Sequence, residues 1–416
     1  GEEAPDSTRH DLRNLTKLSC QSICFSIGAH GKSPVNSSED PSSNPPDNPA
    51  LMQAMPLQSA SFPGRAPIAL ITGITGQDGG YLAAFLLERG YIVHGLSRDV
   101  SRLDRGRFAH IVDLNRRLHL HSCDMIDAAG LSRLLETVRA EEIYNLAAQT
   151  HIQTSFDDPA YTTDVNATGA VRLLNALVKL DLTHRTRFYQ ASSSEMFGDA
   201  KGKIQNEDTP LHPLSPYAVA KHAAFEATVN FREAFGVHAS NGILFNHESP
   251  WRGTNFVTRK IARAVAMRHA GDTTPLKLGN LDTRRDWGHA RDYVEGMWLM
   301  LQRDEPDDYV LATGEHHSVR EFVELAFSET GRDIVWRGEG IEEIGFDAST
   351  GETLVEVDPA FFRPTDISIT IGDASKAQRV LGWRRRTSFP ELVSEMVVAD
   401  IDRLERMRGS ATGSAD

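Results

Sequence analysis

Between Pro67 and Phe245 the chain alternates short apolar runs with amphipathic stretches. Ile68–Gly73 (IALITG) is a compact apolar run closed by glycine, the form of a strand buried on both faces. Similar runs at Tyr91–Leu96, Leu118–Leu120, Ile143–Leu146, Phe188–Ala191 and Gly242–Phe245 predict further strands. Helical spacing of apolar residues falls between them, at Tyr81–Glu88, Leu131–Val138 and Ala170–Leu180. This order predicts an α/β fold with a doubly wound parallel sheet over 67–245. Beyond Asn246 the pattern loosens. Helices are expected around Thr258–Arg268, Tyr293–Gln302 and Phe389–Arg406, with one strand, Asp308–Ala312, returning to the main sheet. Residues 246–405 thus read as a smaller, mostly helical substrate-binding lobe interleaved with that sheet, and 406–416 as a flexible tail.

Composition adds limits. Residues 1–66 read as a disordered leader, because Lys32–Ala50 is rich in Ser, Pro, Asn and Asp and cannot bury enough apolar surface to fold. The leader holds seven acidic and five basic residues, a net −2 of the formal −13, so the folded body is itself acidic. An acidic body argues against a protein that coats nucleic acid. Three cysteines in 416 residues make no disulfide framework, which suits a reducing compartment and a cytoplasmic location. No apolar run reaches the roughly 20 residues needed to span a bilayer.

The sequence Gly73-Ile-Thr-Gly76-Gln77-Asp78-Gly79 lies where the first strand meets the first helix. In a Rossmann domain the first glycine makes the turn, the second admits a pyrophosphate, and the third lets helix and strand pack closely. The helix N-terminus then offers backbone N–H groups to the anion. An acidic residue about 20 positions on would hold the ribose of NAD, and an arginine would favour the NADP phosphate. Arg98 and Asp99 supply both; Arg102 and Arg107 nearby tilt the expectation to NADP. Asp124, after the third strand, is placed to accept from the adenine amino group, with a generic strand-end aspartate as the plain alternative.

Tyr217 and Lys221 are four residues apart behind Ser215-Pro216, so one helix face presents both. A cation one turn away is expected to lower the tyrosine pKa and make it a usable base. The strand exit Ser192-Ser193-Ser194-Glu195 offers a hydroxyl at Ser193 for a reacting alcohol, and a second carboxylate base in Glu195. A plain dehydrogenase needs no such base. His247 and His289 lack metal-ligand spacing and read as hydrogen-bonded structural histidines, so no metal is expected.

The stretches Ala69–Gly79, Glu142–His151, Tyr189–Gly198, Ser215–Lys221, Asn241–Gly253, Phe256–Ile261, Arg284–Val294 and Phe361–Thr365 together resemble the extended short-chain dehydrogenase/reductase family. Within it, they closely resemble the GDP-mannose 4,6-dehydratase family. The resemblance spans residues 67–405, and NGILFNHESP and RRDWGHARDYV are its most discriminating parts. It implies a hydro-lyase acting on GDP-mannose, with NADP as cofactor, at the first step towards GDP-deoxyhexoses such as fucose or rhamnose. Ser193, Glu195, Tyr217 and Lys221 would be catalytic. Gly73, Gly76, Gln77, Asp78, Gly79, Arg98, Asp124, Met125, Leu146, Tyr217, Lys221 and His247 would contact the cofactor, and Asn246, Lys260, Arg285 and Arg363 the substrate. A homodimer or homotetramer is implied as well.

Three positions depart from the family pattern: Ser193 stands where threonine is usual, Asp99 where arginine is common, and Gln153 where a basic residue is frequent. Asp99 is therefore expected to weaken the preference for NADP over NAD. Rivals on the same scaffold are a nucleotide-sugar reductase or epimerase, which need no C5 base at Glu195. Dehydratases of other nucleotide sugars usually carry Asp-Glu in place of Ser194-Glu195. A non-catalytic NADP sensor would be expected to lose Tyr217 or Lys221.

Overall fold

The computed structural model describes residues 65–108, 114–361 and 367–412. The leader up to residue 64 and Arg363 lie outside the described residues. Seven parallel strands form the main sheet: β1 (Ile68–Thr72), β2 (Ile92–Ser97), β3 (Leu118–Ser122), β4 (Glu142–Asn145), β5 (Arg187–Ser193), β6 (His238–Leu244) and β7 (Asp308–Leu311). Their order is β7-β6-β5-β4-β1-β2-β3. The strand expected at Asp308–Ala312 does return to this sheet, as β7 beside β6.

Side-chain alternation explains the layers. Ala69 and Ile71 point to one face and Leu70 to the other, as do Tyr144 and Tyr189 against Ile143 and Phe188. The first face is covered by α1 (Gln77–Glu88), which packs on a helix at Ala290–Leu301, with Trp383 filling the space beneath. The second is covered by α2 (Ala128–Val138), α3 (Gly169–Lys179) and α4 (Pro216–Phe235). Both faces are apolar, which is why the strands read as continuous apolar runs rather than alternating ones.

The second lobe has its own core. Ile261, Val265, Trp287, Phe322, Phe327, Phe389 and Met396 join α5 (Val257–His269) to helices at Val319–Ser328 and Phe389–Thr412. A four-stranded sheet, unanticipated from the sequence, lies beside these helices in the order 334–337, 344–347, 353–357, 276–278. The last helix runs to Thr412, so the boundary expected at residue 405 falls inside it.

Between β1 and β4 the winding of the sheet reverses, so the loops after these strands part and leave a crevice, the usual ligand position in open α/β sheets. A line of buried polar side chains fixes the strand ends beneath it. Thr72 Oγ1 donates to Asn145 Oδ1 at 2.8 Å, and Asn145 Nδ2 to Gln190 Oε1 at 2.8 Å. Ser192 Oγ donates to Asn241 Oδ1 at 3.2 Å. A one-residue slip would break each of these bonds, so the network holds the register on which the site depends.

Candidate active site

The glycine loop has the expected form. Gly73 has φ +74°, and a Cβ there would stand 2.9 Å from Ala147 Cα. At Gly79 a Cβ would fall 2.4 Å from the Gly73 carbonyl oxygen, so only glycine lets α1 pack this closely. Gly76 caps α1 without any side-chain hydrogen bond to the first turn, which leaves the helix start suited to an anion. This loop, at the crevice, fits the pyrophosphate of a dinucleotide.

Gln77 and Asp78 turn towards the strand end at Phe245–Ser249. Gln77 Nε2 donates to the His247 carbonyl at 3.0 Å, and Ser249 Oγ donates to Gln77 Oε1 at 2.8 Å. His247 Nε2 lies 2.9 Å from Asp78 Oδ2, and its Nδ1 donates to the Phe245 carbonyl at 2.8 Å. Burial alone would raise the Asp78 carboxyl, but His247 pulls it down to about 2, and Asp78 in turn raises His247. His247, stacked on Tyr293 with ring centres 4.6 Å apart, is therefore an ion-pair partner bracing the cofactor loop.

Arg98 and Asp99, after β2, each have a partner within the chain. Arg98 is exposed at the end of β2 and donates to the Tyr161 hydroxyl. Asp99 faces its own chain: Oδ1 accepts from the Ser101 amide at 3.1 Å and the Ser101 hydroxyl at 2.5 Å. These bonds make Asp99 the cap of a short turn, Val100–Arg102. Asp124 Oδ1 accepts from the Ile126 amide at 3.3 Å, Met125 is buried beside Gly169, and the Leu146 amide donates to Thr72 Oγ1 at 3.0 Å. All five residues follow the ends of β2, β3 and β4.

Ser193 is the last residue of β5, and its Oγ accepts from the Glu195 amide at 3.2 Å. That bond opens a tight turn at Ser194–Phe197, anchored by buried Met196 and Phe197, and fixes Glu195 just past the strand. Ser215 caps α4 by accepting from the Ala218 amide at 3.1 Å, and Pro216 starts the helix. Tyr217 and Lys221 then project from adjacent turns, with Lys221 Nζ 5.9 Å from the Tyr217 ring centre. Lys221 Nζ also donates to the Ala191 carbonyl at 2.7 Å, so the lysine ties helix to strand.

The electrostatics correct the expectation that Tyr217 would be acidified. Burial pushes the phenol up to about 12, the Ser193 hydroxyl opposes the rise, and the Glu195 charge adds to it. Burial also lowers Lys221 to about 8. The protein alone therefore leaves the phenol protonated at neutral pH; four-residue spacing conveys direction but not burial. Arg252, which the sequence reading passed over, is among the charges that pull the phenol down. It is held by buried Glu248 at 3.0 Å and lies over the Phe256 ring. Tyr161, Arg98's partner, was missed too. Both depend on contacts between segments far apart in sequence.

The residues expected to contact the substrate are held by neighbours of their own. Asn246 pairs with Trp287 in a short parallel ladder, two residues beyond Arg285. Arg285 is buried, and its Nη1 donates to the Ile367 carbonyl at 2.6 Å and the Arg284 carbonyl at 2.9 Å. Arg284 instead pairs with Glu321 at 3.2 Å. Lys260 lies 3.5 Å from the centre of the Phe361 ring, and burial lowers its pKa. Among the described residues, no group of three or more His, Cys, Asp or Glu is arranged to hold a metal, and no helix is long and apolar enough to cross a membrane.

A sequence model described as GDP-mannose 4,6 dehydratase matches residues 70–396. The chain belongs to the GDP-mannose 4,6-dehydratase family. It is 56% identical over 345 residues to a GDP-mannose 4,6-dehydratase of Sinorhizobium fredii, covering 82% of this chain and 98% of the relative. A human GDP-mannose 4,6 dehydratase is 51% identical over 340 residues, covering 80% and 91%. In fold the chain is similar to a dTDP-glucose 4,6-dehydratase of Streptomyces venezuelae, solved with NAD bound (TM-score 0.67, 23% identity, 82% of this chain and 98% of the other). It is also similar to a Thermotoga maritima UDP-glucose 4-epimerase (TM-score 0.67, 20% identity, 82% and 99%). Members of this dehydratase family join the Rossmann fold to nucleotide-sugar chemistry, and a nicotinamide cofactor fits the glycine loop.

Proposed function

We propose that the protein converts GDP-D-mannose to GDP-4-keto-6-deoxy-D-mannose and water, with NADP as its cofactor. The observation that carries this reading is the placement of Glu195 two residues past Ser193, near Tyr217, in a chain of the dehydratase family. When bound, the nicotinamide accepts a hydride from C4 of the sugar and returns it at C6, so the reaction has no net redox change.

The chain's own residues manage the protons. Ser193 holds the 4-hydroxyl, and Tyr217 takes its proton, with the charges of Lys221 and Arg252 favouring the phenolate. The 4-ketone acidifies the C5 proton, which Glu195 removes and passes to the departing C6 hydroxyl, so that it leaves as water. C5 then regains a proton in place of the one Tyr217 took from the 4-hydroxyl. Arg285, with Arg363, grips the diphosphate, which matches the forked donors of guanidinium groups, while Asn246 and Lys260 contact the rest of the substrate. Arg98 with Tyr161 favours the NADP phosphate, and Asp124, Met125 and Leu146 frame the adenosine. A cytoplasmic homodimer or homotetramer is the proposed assembly; exposed Val219 and Phe235 on α4 and Val171 on α3 are consistent with self-association.

The test is incubation of folded protein with GDP-mannose and NADP⁺, followed by detection of the 4-keto-6-deoxy sugar nucleotide. Absence of that product would overturn the assignment.

A further inference from the structure

Next to Arg285 the chain buries a carboxylate that has no part in the proton transfers. Asp286 is wholly inaccessible. Its Oδ1 accepts from the Thr313 amide at 2.8 Å and the Thr313 hydroxyl at 2.7 Å. Its Oδ2 accepts from the Gly314 amide at 3.1 Å and the Gly372 amide at 3.2 Å. Four donors from two segments thus converge on one side chain.

Those segments matter because of what they touch. Residues 367–373 run alongside the strand that carries Arg284 and Arg285. Arg284 donates its amide to the Ser368 carbonyl at 2.8 Å, and Thr370 donates back to the Arg284 carbonyl at 3.2 Å. The Ile367 carbonyl in turn accepts from Arg285 Nη1. Gly372 sits so close to the Phe245 and Ala312 side chains that a Cβ would be 2.6 and 2.4 Å from them, so only glycine fits where its amide reaches Asp286.

Other anchors of this segment are incomplete. Gln205 bonds to it through its backbone at Ile371 and Asp373, yet both polar atoms of its buried side chain lack a partner among the described residues, as does the buried Thr370 hydroxyl. The carboxylate of Asp286 is the buried charge here. Burial outweighs its hydrogen bonds and pushes it up to about 6, so its ionised form is held at a cost to the fold. A polar group kept where it is costly points to a geometric task.

We propose that Asp286 is a positioning residue for the substrate: by pinning the 367–373 segment and the Thr313–Gly314 turn to the Arg284–Arg285 strand, it sets how the Arg285 guanidinium meets the diphosphate. The diphosphate role of Arg285 rests on the function proposed above. Asp286 touches neither substrate nor cofactor; it acts through the carbonyl that Arg285 holds.

The test uses the full chain and three variants: Asp286→Asn, which puts an N–H₂ where donors already point, Thr313→Val, which removes one donor, and Thr313→Ser, which keeps it. KM for GDP-mannose, kcat, the dissociation constant for GDP and amide exchange over 367–373 are measured for each. Asp286→Asn should raise KM and the GDP constant about tenfold with kcat within about twofold, as expected for a lost charge-assisted hydrogen bond. Thr313→Val should raise both about threefold, and Thr313→Ser should match the wild type. Exchange over 367–373 should quicken in the two impaired variants. Unchanged GDP binding in folded Asp286→Asn or Thr313→Val would overturn the proposal, as would a fall in kcat with KM unmoved. If Asp286→Asn does not fold, the Thr313 pair decides. GDP binding and exchange need no turnover, so a wild type that binds GDP but leaves GDP-mannose unchanged would refute the proposed function without touching Asp286.

Discussion

Replacing Lys221 by methionine keeps much of the buried volume and removes the cation. Its field at Tyr217 can be sized from the separation of 5.9 Å between Nζ and the phenol ring centre. Coulomb's law at an effective dielectric near 20 gives about 3 kcal/mol, or roughly two pKa units on the phenol. Tyr217→phenolate is already uphill because burial holds the phenol near 12. If the phenolate carries the rate, Lys221→Met should lower kcat about 100-fold at pH 7. The pH profile gives the sharper test. Lys221 is held near 8, so it keeps its charge below that pH and loses it above. Below pH 8 both proteins should gain about tenfold in kcat per pH unit. Above it the wild type should level off, because phenol and ammonium then lose protons together, while the variant keeps rising and closes the gap. The assay is kcat at saturating GDP-mannose and NADP⁺ from pH 6 to 9.5, with folding checked at each point. A constant ratio between the two proteins across pH 8, or a loss below about threefold at pH 7, would refute this electrostatic account of Lys221.

Glu195→Gln should abolish deuterium exchange at C5 while leaving the affinity for GDP-mannose nearly unchanged; exchange at the normal rate would remove Glu195 as the base. Asp99→Asn should raise the preference for NADP over NAD, because the bonds from Ser101 hold that exposed carboxylate below its usual pKa and so keep it charged next to Arg98, whereas Arg98→Ala should weaken NADP selectively. Paired titrations of the two cofactors decide, and an unaltered balance in Asp99→Asn would show that its charge does not act on the cofactor phosphate. The Asp78–His247 pair makes a prediction for stability: the folded-state pKa of Asp78 is depressed, so its contribution is present above about pH 4 and fades as pH falls towards 2. Asp78→Asn should lower stability by about 2 kcal/mol at pH 6 and by little near pH 2, measured by denaturant titration.

How much of this was legible in the sequence depends on whether a feature is local. The strands of the main sheet were readable because both faces are buried, which makes each a short apolar run between polar loops. The sheet of the second lobe was not. Ile334–Arg337 alternates half-buried with exposed residues over only four positions, and Thr353–Val357 gains its place by pairing with Leu276–Leu278, 79 residues earlier. A four-residue alternation carries too little signal to separate it from a loop. The Gly73–Gly79 turn and the Ser215 cap were readable for the opposite reason: Gly79 packs on the Gly73 carbonyl and Ser215 bonds Ala218, each within a few residues.

The site divides along the same line. Residue types and spacing put Ser193, Glu195, Tyr217 and Lys221 together, because a strand end and a helix start each fix their own side chains. Asp99 shows the limit of that reasoning: its position after β2 suggested a ribose contact, and spacing gave no sign of the bond it accepts from Ser101 two residues away. Tyr217 shows a second limit, since spacing reveals a nearby cation but not how much water the fold has removed. Burial is a property of the whole chain, and it is burial that separates Tyr217 from a ready-made base. The proton transfer is consequently not complete in the residues that name the family. In the mechanism proposed above it would depend on the charges around the phenol, Arg252 against Glu195 and Asp78, with Lys221 one turn away, and their balance would decide whether the tyrosine takes the 4-hydroxyl proton or stays an inert hydroxyl.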